Sequence, residues 1–276
     1  MPAANARALE KAKSLAADAI IFDLEDAVAP DAKDAARAAA CAAAASGEYG
    51  RRELTIRCNG LDTPWGAADL AAIAGSTAAA VVVPKVSSVA YLDEVSARLD
   101  EAGAPAAMSV WAMIETPTAI LDARAIAAHP RVSVLVLGTN DLARELRAPL
   151  RPGRRALLAH LATALLAARE AGTTILDGVF NDVQDLDGFA AECAQGVEFG
   201  FDGKTLIHPG QVDVANAAWA PSAADVDQAR RIIAAFDEAV ADGRGVVTVD
   251  GRMIENLHVD NARRVLAVAD AIFELG

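Results

Sequence analysis

The chain has 276 residues and a formal net charge of −13 at pH 7, which argues against a nucleic-acid partner, since that needs a concentrated basic face. Apolar residues make up 54% of it, but alanine supplies much of that fraction, and no stretch reaches the roughly 18 uninterrupted apolar residues of a membrane span. Three scattered cysteines (Cys41, Cys58, Cys193) argue against a disulfide framework or a zinc cluster, and the amino terminus lacks the apolar core of a signal peptide, so a cytoplasmic setting is expected.

Apolar runs then alternate with helical patterns. Residues 6–16 read as a helix and 19–22 as a strand; Asp31 is expected to cap a helix running to about residue 45. Strands are expected at 54–58, 80–83, 108–114, 132–137, 173–176 and 203–207, with helices at 65–74, 88–102, 118–128, 154–171 and 185–196. Short, β-branched-rich runs of this kind read as strands buried on both faces, as in a parallel sheet. Strands alternating with helices imply right-handed βαβ units, and so an α/β fold. Seven strands are counted, whereas a closed (β/α)8 TIM barrel has eight. The first strand is therefore expected to be missing from this chain, and a version extended upstream by an apolar strand is expected to behave better. An open doubly wound sheet of seven strands is the alternative. Beyond Pro209 the rhythm changes to a helix at 222–242, a hairpin at 246–254 around Asp250-Gly251, and a last helix at 259–273. The organisation expected is a barrel over residues 1–215 and a carboxy-terminal helical and hairpin extension, a lid or oligomer arm, over 216–276.

Several strands end in a charged or amide side chain, where parallel α/β folds place their ligand chemistry. Glu115 and Asp141 end neighbouring strands, so their carboxylates should converge. Two carboxylates with room for water suit Mg²⁺, a hard octahedral cation, although each could merely cap the following helix. Glu25 and Asp26 lie at another strand's rim, either in the site or as solvated loop acids. Arg57, also at a strand end, could clamp a carboxylate or an enolate. Lys85, after Pro84, could meet a phosphate or simply face solvent. His208 reads as a scaffold residue, and His129, His160 and the cysteines show no partner at catalytic spacing.

The stretches Ile20-Ile21-Phe22-Asp23-Leu24-Glu25-Asp26-Ala27-Val28, Ile56-Arg57-Cys58-Asn59-Gly60, Val83-Pro84-Lys85-Val86, Met113-Ile114-Glu115-Thr116-Pro117, Gly138-Thr139-Asn140-Asp141-Leu142 and Gly200-Phe201-Asp202-Gly203-Lys204-Thr205-Leu206-Ile207-His208-Pro209 resemble the citrate lyase β-subunit-like family, which includes malyl-CoA and citramalyl-CoA lyases. The resemblance implies a (β/α)8 barrel that binds Mg²⁺ and a CoA thioester, as a homotrimer or hexamer. It implies Glu115 and Asp141 as metal ligands, Glu25 and Asp26 as holders of metal-bound waters, and Arg57 facing the thioester carbonyl or the developing enolate. Asn5, Arg7 and Lys11 would lie near the CoA phosphates. In the tail, family lyases carry Met-Ile-Asp or Met-Val-Asp, whose aspartate reaches a neighbouring subunit's site as acid/base. This chain has Met253-Ile254-Glu255-Asn256-Leu257-His258, which is similar to a branch that includes malyl-CoA thioesterases.

The reading drawn is a Mg²⁺-dependent lyase that cleaves a malyl-CoA or citramalyl-CoA type 3-hydroxyacyl-CoA by a retro-Claisen step to acetyl-CoA or propionyl-CoA and a 2-oxo acid. Arg57 and Glu255 would be its catalytic residues, and the partner is an acyl-CoA. The alternatives are a malyl-CoA thioesterase, giving malate and CoA, and a non-catalytic subunit of a citrate lyase-like complex.

Overall fold

In the computed structural model, which describes residues 1–275, seven parallel strands lie in the sheet in the order in which the chain makes them. They are β1 (Ala19–Asp23), β2 (Glu53–Arg57), β3 (Ala80–Val83), β4 (Ser109–Ile114), β5 (Val132–Leu137), β6 (Thr174–Asp177) and β7 (Gly203–Lys204). Helix α1 (Ala6–Ala12) precedes them. The crossovers carry α2 (Lys33–Ala45), α3 (Gly66–Ala74), α4 (Val89–Glu101), the pair α5 (Pro117–Leu121) and α6 (Ala123–Ala127), the pair α7 (Thr139–Glu145) and α8 (Leu158–Ala171), and α9 (Leu186–Phe199); α10 (Val212–Trp219) follows β7. A sheet whose spatial order equals its chain order has no switch point. That removes the doubly wound alternative and leaves the TIM-type barrel arrangement.

On the side of β1 away from β2, Pro2 makes a parallel bridge to Asp23. Asp23 N donates to Met1 O at 2.8 Å and Ala3 N to Asp23 O at 3.0 Å. This short pairing stands where an eighth strand is expected.

The apolar strand sequences are explained by burial on two faces. Ala80, Val82, Trp111, Met113, Val134 and Val136 form one cluster, against which Ala19, Ile21 and Leu176 pack. Their neighbours of opposite parity, among them Phe22, Ile56, Val81, Val110, Ala112, Leu135 and Ile175, are also buried. Each fully buried Val or Leu contributes about 1.5–3 kcal/mol.

Most departures from the expected elements have local causes. Helix α1 stops at Ala12 rather than residue 16. Asp31 does not cap α2: a 3-10 turn over Pro30–Ala32 intervenes, and no side chain caps the helix. The helix expected at 118–128 breaks at Asp122 into α5 and α6. The long helix expected from residue 154 begins only at Leu158, because Arg154 adopts φ 46° and turns its side chain inward to bond Asp177. Helix α7, directly after β5, has no counterpart in the expectation.

Two compact units divide at residues 218 and 219. Within the second, α11 (Ala223–Ala241) starts on a capping box in which Ser222 and Asp225 bond each other's backbone N–H. The antiparallel hairpin of β8 (Val247–Val249) and β9 (Arg252–Ile254) turns at Asp250 and Gly251, both with positive φ, and α12 (Asn256–Leu275) follows. Phe236, Ile254 and Val259 form the buried centre of this unit. No described helix is long and apolar enough to cross a membrane.

Candidate functional site

Strand periodicity places the first charged groups. The inward parity of β1, β2 and β4 runs from Ile21 to Asp23, from Thr55 to Arg57, and from Met113 to Glu115. Asp23 and Arg57 are register partners across β1 and β2. Arg57 Nε and Nη2 donate to the two carboxylate oxygens of Asp23, each at 2.6 Å, a bidentate pairing. Burial opposes ionisation of Asp23, but the Arg57 hydrogen bonds and charge, with the amide of Glu25, hold its carboxyl below the usual range. The remaining Arg57 nitrogen, Nη1, lies 2.8 Å from Glu25 Oε2 and 3.8 Å from Met113 Sδ.

Glu25, in the turn after β1, is buried and takes its second cation from Lys85, whose Nζ donates to Glu25 Oε1 at 2.9 Å. Lys85 has φ 50°, a left-handed conformation that costs a lysine about 1–2 kcal/mol. That backbone aims its own N–H at Glu115 Oε1, at 2.7 Å, so one residue touches both acids. Glu115 is 1% exposed. Burial, together with the nearby charges of Asp141 and Glu25, pushes its carboxyl up to about 7, against the opposing pull of the Lys85 amide and Arg57. Gly138 makes room for it: a Cβ there would stand 2.3 Å from Glu115 Oε2 and 2.4 Å from its Cβ. Asp141 lies in the first turn of α7, with Oδ1 2.7 Å from Arg144.

The donor chemistry is all oxygen. Among the described residues no group of three or more His, Cys, Asp or Glu side chains is gathered to hold a metal. Glu115 and Asp141, near enough to interact electrostatically, are the carboxylates that would suit a cation completing its shell with water, as Mg²⁺ does. Burial first, and the charges of Asp141 and Glu25 second, disfavour the ionised form of Glu115, and a divalent ion there would favour it.

The other expected residues are placed differently. Asp26 is exposed. Asn5 caps α1, its Oδ1 accepting from Ala8 N at 3.1 Å. Arg7 and Lys11, with Glu10, Lys13 and Ser14, line a shallow depression of about 540 Å³. Glu255 belongs to the second unit and sits just before α12, its N–H bonded to His258 Nδ1 at 3.1 Å. Two participants were not foreseen in the sequence: Asp23, the partner of Arg57, and Lys33, which lies beneath the acidic turn. Both carried a signal. Asp23 shares the parity of the inward-facing Ile21, and Lys33 falls on the buried alanine stripe of α2.

The sequence and fold of this chain match known families. Residues 1–209 match the model of the HpcH/HpaI aldolase/citrate lyase family, and residues 150–273 match a C–C bond lyase of the TIM-barrel fold. The chain belongs to the HpcH/HpaI aldolase/citrate lyase family and is an enzyme, as the motif resemblance implied. It is 52% identical to a (3S)-malyl-CoA thioesterase of Cereibacter sphaeroides (strain ATCC 17023), over 99% of this chain and 93% of that one. It is 37% identical to citrate lyase subunit beta of Escherichia coli (strain K12), over 98% and 91% of the two chains. The crystal structure of the CitE protein of Mycobacterium tuberculosis with magnesium, acetoacetate and coenzyme A superposes with a TM-score of 0.81 at 32% identity, covering 98% of this chain and 96% of that one.

Proposed function

We propose that the chain is a Mg²⁺-dependent acyl-CoA thioesterase of the cytoplasm acting on (3S)-malyl-CoA, releasing malate and CoA. The observation that carries this is the 52% identity to malyl-CoA thioesterases along nearly the whole length of both chains, with the carboxylate rim intact. The lyase reading drawn from the sequence gives way to its thioesterase alternative, since the lyase-type relatives stand at 37%. C–C cleavage of the same substrate is the second reading, favoured by the match to a C–C bond lyase model.

In this proposal Glu115 and Asp141 hold the metal, and Glu25 and Asp26 hold its waters. The ion, when bound, supplies charge that polarises the substrate's oxygens. Arg57 stabilises the charge that develops on the thioester oxygen as water adds to the carbonyl carbon. The C–S bond then breaks, and the CoA sulfur leaves with a proton. Glu255, from a neighbouring subunit of a homotrimer or hexamer, is the acid/base for these transfers. Asn5, Arg7, Lys11 and Lys85 line the path of the CoA moiety. Arg7 and Lys11, on one exposed helix, suit its phosphates as cations.

Thiol release from (3S)-malyl-CoA is the test. It should require Mg²⁺, stop reversibly in EDTA, and be lost in Glu115→Ala while the fold persists. Full turnover in EDTA would remove the metal from the reaction.

A further inference from the structure

Lys33 is the first residue of α2, 5% exposed, and it shares the buried face of that helix with Ala36, Ala40 and Ala44. Its position is doubly unfavourable. A cation at a helix amino terminus opposes the helix dipole, and a buried ammonium costs several kcal/mol unless its donors are satisfied. All three are used: Nζ donates to Leu24 O, Glu25 O and Asn59 Oδ1, each at 2.7 Å, which exhausts the donors of an ammonium. It also lies 5.2 Å from the centre of the Trp65 ring, within range of a cation–π contact.

Asn59 repeats the grip. Its Nδ2 donates to Leu24 O at 3.0 Å and to Asp69 Oδ2 at 2.6 Å, and Asp69 is in turn held by Arg37 Nε at 2.6 Å. The segment captured from below is the turn whose side chains Asp23 and Glu25 meet Arg57, and Glu25 also Lys85, from above. Helix stability would not select a lysine here.

We propose that Lys33 is a positioning residue for the acidic turn. By fixing the carbonyls of Leu24 and Glu25, it sets where the Glu25 carboxylate stands beside Arg57 and Lys85, and it places positive charge against the backbone of the acidic turn. The inference rests on the proposed metal-dependent function of this rim, and it adds to that function a residue that touches neither metal nor substrate.

The test is a double-mutant cycle of Lys33→Met with Glu25→Gln, read by calorimetric titration with Mg²⁺ alone, by kcat and KM on (3S)-malyl-CoA, and by Tm. Lys33→Met is expected to weaken Mg²⁺ binding by about five- to fifty-fold, and to change it less than about twofold when Glu25 is already Gln. Lys33→Arg, whose planar fork cannot meet the same three acceptors, should weaken binding by several-fold in a folded protein, and it serves in place of Lys33→Met if that variant does not fold. Multiplying effects in the double mutant, or a fall in Tm with Mg²⁺ affinity unchanged, would overturn the proposal and leave Lys33 a structural tie. Wild-type protein that bound no Mg²⁺ would overturn the site reading itself, and the proposal with it.

Discussion

Glu115 is where one residue's environment sets a measurable property. Its carboxyl stands at about 7 against an ordinary 4.5. Between those values the native metal-free protein keeps a proton that the unfolded chain has released. This group's effect on stability is therefore most favourable below pH 4.5, and on the order of 3 kcal/mol is lost as the pH rises through 7. Chemical denaturation of the metal-free enzyme between pH 5 and 8 should show that decline, and Glu115→Gln should flatten it. Asp23 does not blur the window: its depressed carboxyl loses its stabilising effect only as the pH falls below the usual aspartate range. Because binding must displace the Glu115 proton, Mg²⁺ affinity should rise about tenfold per pH unit up to about 7 and then level off. An affinity independent of pH from 5 to 8 would deny Glu115 a place in the metal shell.

Among the elements, the ends of β6 and β7 are tied by a buried charge cluster. Arg154 Nη1 and Lys204 Nζ reach the two oxygens of Asp177 at 2.6 and 2.8 Å, and Lys204 also reaches Glu192 Oε1 at 2.8 Å. With the Lys204 and Asp177 side chains fully buried, Lys204→Met would strand carboxylates in the interior. Loss of one partner of a buried pair costs about 3–5 kcal/mol, which for a chain of this size lowers Tm by on the order of 10 °C. A melting curve unchanged by the substitution would show that the cluster is not holding these strands.

The same elements show what could be read from the residues. Strands β3, β4 and β5 are legible as largely buried apolar runs, and β1, β2 and β6 as shorter β-branched runs; β7, expected over 203–207, is only the half-buried pair Gly203–Lys204. The hairpin is legible because Asp250-Gly251 supplies the positive φ its turn needs. Arg154 is not: it scans as a helix residue, and only the tertiary pull of Asp177 takes it out of one. Glu25, Arg57, Glu115 and Asp141 are legible as strand-end polar groups. Their mutual bonds are not, because Lys85 reaches both Glu25 and Glu115 only through a backbone conformation that a lysine rarely adopts. Asp23 and Lys33 are hidden for a related reason, since a charge inside an apolar pattern looks like an interruption until its partners are known.

For the molecule as an assembly, the proposal assigns Glu255 to a neighbour's site. Glu255→Gln is expected to lower kcat by about 10²–10⁴, the usual worth of a positioned acid/base. Mixing inactive Glu255→Gln with inactive Glu115→Ala protein, after subunit exchange, should restore part of the activity in hybrid oligomers. Wild-type turnover in Glu255→Gln would make Glu255 a surface residue, and loss without complementation would confine its action to its own subunit.

The central claim is that this barrel directs water onto a thioester rather than breaking the adjacent carbon–carbon bond. The direct measurement is a single incubation of (3S)-malyl-CoA, Mg²⁺ and enzyme in ¹⁸O-labelled water, with the products resolved by mass spectrometry. The account predicts free CoA and malate carrying one ¹⁸O in the carboxyl group that was the thioester, with no glyoxylate. Acetyl-CoA and glyoxylate in equal amounts, with no labelled malate, would contradict it.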